Sequence, residues 1–217
     1  MPLILYLVNY KKLTTKGLKV FFIYICFICL HTLLTIIIRY YGNFYTYTLL
    51  LRLFNIIELG LLSYFICLNL SNLRIKRLCI ILQPLFIGYC IYDFLSSQQP
   101  QIGYFPAAVE CLIMISLIIY FFFELLQKII TIPLYSIIEF WIGVSLLLYF
   151  SGNFFLFIYS QSNIQDKIFQ NSYKLVYSTI IIIKNIFLTI SIIFTANLGT
   201  IKKSSTFLNS ELDSFLS

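Results

Sequence analysis

The 217-residue chain is 60% hydrophobic and only 11% charged, with a mean hydropathy of +0.93 and a formal net charge of +7. A water-soluble domain of this length could not cover so much apolar surface, so water is excluded as its main solvent. The basic balance, with a pI near 9.1, follows from membrane topology and anionic lipid and needs no nucleic acid.

The apolar residues come in runs of about twenty, the length that crosses roughly 30 Å of hydrocarbon at 1.5 Å per residue. A membrane barrel would show shorter segments alternating apolar and polar, so these runs read as helices. The expected fold is all-α, a polytopic transmembrane helix bundle with six full spans plus a truncated N-terminal helix.

In chain order, residues 1–9 are apolar but would rise only about 13 Å as a helix. Lys11 and Lys12 follow this stretch, the reverse of a signal peptide, and no small-residue cleavage site is present. The segment therefore reads as the end of a truncated or short first helix.

The full spans are expected over 18–38, 46–70, 78–95, 106–126, 134–160 and 176–196. Residues 1–197 form a single transmembrane domain and 198–217 a cytoplasmic tail. Lys11, Lys12, Lys16, Lys19, Arg74, Lys76, Arg77, Lys128, Lys202 and Lys203 fall on one side of such a bundle, and Arg39, Lys167 and Lys174 on the other. Basic residues near helix ends stay on the cytoplasmic side, which puts the C-terminus in the cytoplasm. Tyr40, Tyr41, Tyr45, Tyr47, Tyr92 and Tyr104 mark the opposite interface as an aromatic belt.

The first full span carries Cys26 and Cys29 on one face and the only histidine, His31. Cysteines in an apolar helix behave as small hydrophobes, and no second pair or histidine cluster points to a metal. On the second span Thr48, Arg52, Asn55 and Glu58 share one stripe. Pro84 and Gly88 are expected to kink the third span, which ends near Asp93, and Glu110 opens the fourth. Glu124 and Glu139 fall at inner helix ends, where a solvated interface is expected. Trp141, Ser145, Tyr149, Gly152 and Asn153 line one side of the fifth span, read as a packing face with small residues. The last span carries Tyr177, Ser178, Lys184, Asn185, Thr189 and Ser191.

An ionisable residue near mid-bilayer costs about 3 kcal/mol and points to function or to a partner. Glu58 and Lys184 match in depth and sign, so an ion pair joining the second and sixth spans is expected. Arg52, Asp93 and Glu110 form an outer group, either a satisfied network or the wall of a polar pocket. Together Arg52, Glu58, Asp93, Glu110 and Lys184 are the candidates for a solute or ion path. In the tail, Leu208, Leu212, Phe215 and Leu216 make a helical stripe able to dock on a partner or the membrane surface.

No P-loop, H-E-x-x-H, G-x-S-x-G or aspartate-rich motif occurs, and the connections are too short for a catalytic domain. The chain is read as a non-enzyme without cofactor, whose surroundings are the lipid bilayer and a membrane-protein partner or further copies of itself.

The apolar N-terminal stub, then YKKL, LKVFFIY, LFNIIELGLLSYF, AVECLIMISLIIYFFFELL and EFWIGVSLLLYFSGNFF, resembles a group of small seven-helix bacterial inner-membrane proteins over most of the chain. The resemblance implies a bacterial inner (cytoplasmic) membrane and seven helices with the N-terminus outside, and it carries over no activity. This chain departs from the pattern by lacking most of the first helix. Similar membrane modules in some sensor kinases put a sensory or accessory subunit first among functions. A small transporter or channel, and a structural subunit of a membrane complex, are the alternatives.

Overall fold

The structure, a computed structural model, describes residues 4, 6, 15–96, 103–127, 137–163 and 169–192. It is all-α. The helices are α1 (Lys16–Tyr41), α2 (Phe44–Asn69), α3 (Leu73–Ser96), α4 (Tyr104–Gln127), α5 (Ile138–Asn163) and α6 (Phe169–Ile192). Each is long and apolar enough to cross a membrane.

Apolar side chains every turn make these segments helical, and polar residues at their ends stop them. Thr15 begins α1 by accepting the Leu18 amide at 3.3 Å. Gly42 ends it, its amide bonded to the Ile38 carbonyl at 2.8 Å. A Cβ on Gly42 would sit 2.7 Å from that carbonyl, so the tight α1–α2 turn needs glycine. Asn72 precedes α3 and its side-chain oxygen takes the Arg74 amide at 2.9 Å.

The sequence places the start of the third span at 78, but α3 begins at Leu73. The basic turn Arg74 to Arg77 is helical because Asn72 caps it and Glu124 of α4 accepts the Ser71 and Asn72 amides at 2.6 and 3.0 Å. Glu124 is therefore buried and structural, not part of a solvated interface as its position suggested. Helix α5 starts at Ile138 and not at 134, with Ile137 non-helical. Helix α6 already includes Phe169, seven residues before the expected start at 176, and Tyr173 and Tyr177 continue its aromatic stripe.

The closest packing is between α4 and α5, then between α1 and α2; α2 also meets α3 and α4. Gly143 admits the Phe122 ring of α4, where a Cβ would lie 2.9 Å from it, and Gly152 admits Ile180 of α6, where a Cβ would lie 2.7 Å from it. Helix α6 is fastened to α5 by the Ser145 hydroxyl, which donates to the Lys184 carbonyl at 2.9 Å, and by the stacked rings of Trp141 and Phe187.

Side chains are distributed as lipid demands. Leu33, Ile36 and Ile37 of α1 and Ile80, Ile81 and Leu85 of α3 are exposed on the outside, while Arg52, Glu58, Glu110 and Lys184 are buried inside. Of the expected N-terminal helix only Ile4 and Tyr6 are described. Tyr6 is fully buried, its ring against Phe21 and its hydroxyl 3.5 Å from Ser191. The tail stripe Leu208, Leu212, Phe215 and Leu216 lies outside the described residues.

Candidate functional site

The six helices alternate in direction, so the α1–α2 turn and the starts of α4 and α6 share one end of the bundle. At that end a vestibule of about 590 Å³ is bordered by Arg39, Asn43, Tyr47, Tyr104, Tyr173, Lys174 and Tyr177. Tyr47, Tyr104, Tyr173 and Tyr177 also line a second cavity of about 550 Å³ that lies deeper between the helices. Four tyrosines thus form the neck between an outer mouth and an inner chamber, and the rings of Tyr173 and Tyr177 stack with centroids 6.0 Å apart.

The chamber receives side chains from α1, α2, α4, α5 and α6. Counted along their helices from the mouth, Glu110 and Arg52 lie about 9 and 12 Å in, Asn153 about 15 Å, and Glu58 and Lys184 about 21 to 22 Å. Four of the five expected path residues, Arg52, Glu58, Glu110 and Lys184, therefore border one cavity. Asp93 does not border it. It stands behind Arg52 and forms an ion pair with it at 2.6 Å. The same guanidinium reaches the Cys90 carbonyl at 3.5 Å and lies 5.2 Å from the centre of the Phe94 ring. Of its two expected carboxylates, Arg52 takes Asp93.

Glu58 is 3% exposed and accepts a 2.6 Å hydrogen bond from the Tyr24 hydroxyl of α1. Lys184 is 5% exposed, and its ammonium rests 3.9 Å from the centre of the Tyr149 ring, a cation–π contact. Glu58 and Lys184 are near enough to act on each other electrostatically, but no nitrogen–oxygen approach within 4.0 Å joins them. They meet through the chamber and not as a contact pair.

Two groups remain. Glu110 is 3% exposed, and among the described residues its Oε1 has no hydrogen-bond partner. Asn153 is 1% exposed, and neither its amide nitrogen nor its oxygen has one. A buried polar group left unpaired costs about 1–3 kcal/mol, and more if it is charged. Both border the chamber, so the space they face is where their missing partners belong.

Compared with known protein families, with curated proteins and with solved structures, the chain matches none.

Beyond Glu58 and Lys184 the interior changes character. Leu18 and Phe21 of α1, Leu62, Phe65 and Ile66 of α2, Ile118 and Phe121 of α4, Ile142 and Leu146 of α5 and Ile192 of α6 pack there as a buried apolar core. Among the described residues, then, the chamber meets the tyrosine neck at one end and this apolar core at the other, and through exposed Cys29 and Thr32 it also borders the outer face of α1. His31 borders the chamber from α1, stacked on Phe54 at 4.0 Å and 3.4 Å from the Thr35 hydroxyl. No group of three or more His, Cys, Asp or Glu among the described residues is placed to hold a metal ion.

Sequence reasoning assigned Asn153 and Tyr149 to packing and Tyr47 and Tyr104 to the interface, and did not single out Tyr24 or Tyr173. The four-residue spacing of Tyr149 and Asn153, repeated by Tyr173 and Tyr177, was the available signal.

Proposed function

We propose that the protein binds a small polar solute inside the membrane and acts as a sensory or accessory subunit that reports this binding to a membrane or cytoplasmic partner. The observation that carries the reading is the chamber: buried Glu110 and Asn153, unpartnered among the described residues, face a cavity of small-molecule size that is closed at one end. A receptor needs a pocket that fills and empties from one side, and a closed floor supports that use. By the distribution of basic residues the neck faces outward and the apolar floor faces the cytoplasm. With a bacterial inner membrane as the setting, the solute arrives from the periplasmic side.

A small transporter is the second reading, favoured by the depth at which Glu58 and Lys184 sit. In that case the apolar core is an inner gate that must open for the solute to pass. Extraction of the full chain from its native membrane in mild detergent, with the stoichiometry of co-purifying chains, separates the two. The subunit reading expects a reproducible near-equimolar partner. A solitary chain or homo-oligomer overturns it and leaves transport.

A further inference from the structure

The chamber contains one buried carboxyl group to which no described residue offers a counter-charge or a hydrogen bond, and we propose that its ligand is a small organic monocation, a protonated amine carrying an apolar body. This rests on the solute-binding reading of the same cavity and names the class of solute.

Five side chains that can carry a full formal charge border the cavity; His31 is stacked on Phe54 and lies 3.4 Å from the Thr35 hydroxyl, and three of the other four are accounted for. Arg52 is neutralised by Asp93 at 2.6 Å. Glu58 holds the Tyr24 hydroxyl and has Lys184 as its nearby opposite charge, and the Lys184 ammonium is seated on Tyr149. Glu110 alone has neither an opposite charge nor a hydrogen-bond donor among the described residues; the charge acting on it is that of Glu58, which has the same sign.

The Asn153 amide nitrogen, also unpartnered, is left to an acceptor on the ligand's body, and the other two orphaned atoms are answered by an ammonium. Its N–H bonds satisfy the Glu110 carboxylate and the Asn153 amide oxygen, and charge-assisted bonds of this kind are about twice as strong as neutral ones. The rest of the chamber wall suits an apolar body, since Ile25, Leu51, Phe150 and Ile181 border it. A bare inorganic cation would leave most of the roughly 550 Å³ empty. An anion would have to compete with Asp93 for Arg52 and bring a further negative charge beside Glu58 and Glu110. Arg39 and Lys174 at the mouth are exposed, so solvent and salt screen them, and they bear on approach more than on the bound state.

The test uses the full chain in phosphatidylcholine nanodiscs at constant ionic strength and reads the thermal unfolding midpoint. The probes are 2-phenylethylammonium and n-butylammonium, the neutral isostere 2-phenylethanol, the anion phenylacetate, and sodium chloride. Both ammonium probes are expected to raise the midpoint saturably and the others to leave it unchanged. Glu110→Gln is expected to weaken the phenylethylammonium response by about tenfold or more in apparent affinity, and Asn153→Ala by less.

If Glu110→Gln does not fold, the comparison between isosteres on the unaltered chain still decides. An equal response to 2-phenylethanol, or a response to phenylacetate, overturns the cation proposal while the solute chamber stands. A response to sodium equal to that of the amines overturns the organic body. No response to any probe overturns both the proposal and the binding reading beneath it.

Discussion

Asp93 and Glu124 are both carboxylates near helix ends, yet they do different work. Asp93 is 27% exposed at its side chain and neutralises Arg52, which is 7% exposed. Removing one partner of such a pair leaves an uncompensated charge in a poorly solvated place, a loss of about 3 kcal/mol. Asp93→Asn is therefore expected to destabilise the detergent-solubilised protein by about that amount. Adding Arg52→Gln should recover most of it, and the double-mutant cycle measures the coupling. Glu124 holds two backbone amides at the start of α3, and Glu124→Gln retains only one acceptor. A loss of about 1–3 kcal/mol is expected, with earlier exchange of the Ser71 and Asn72 amides as its local signature. The burial of Arg52, Glu58, Glu110 and Lys184 was legible in the sequence because a charge inside an apolar run is costly wherever it falls and is turned inward. Their partners were not. Tyr24 is 34 residues from Glu58, and Asp93 is 41 from Arg52, distances along the chain that no local pattern encodes.

Helices were the easiest feature to read, since runs of about twenty apolar residues leave few other structures in lipid. Their ends were harder. Helix α3 starts early because Glu124, on another helix, caps it, and α6 includes the polar turn from Gln170 to Lys174 because Tyr173 faces the chamber neck. Gly152 illustrates the same limit: the sequence marks it as small, but only the fold shows that Ile180 fills the space above it. Gly152→Val places methyl groups where Ile180 already sits and is expected to cost about 1–3 kcal/mol through displacement of α6 from α5. A lowered thermal midpoint, together with easier proteolysis within α6, is the measurable result. A companion Ile180→Ala should relieve part of the loss.

At the scale of the molecule the bundle divides into two halves, a polar chamber behind four tyrosines and an apolar core beneath Glu58 and Lys184. Composition could not reveal this division, because every helix but α3 contributes to both halves and its mean hydropathy averages them. The central claim is that the chamber takes up a small polar solute and is reached from one side only. Its most direct test is Asn153→Cys in a chain whose six native cysteines are alanine, reconstituted with known orientation and exposed to a membrane-impermeant thiosulfonate. Labelling from the side that carries the tyrosine neck, with none from the opposite side, is the predicted result. Absence of labelling from either side would mean a dry interior and contradict the account.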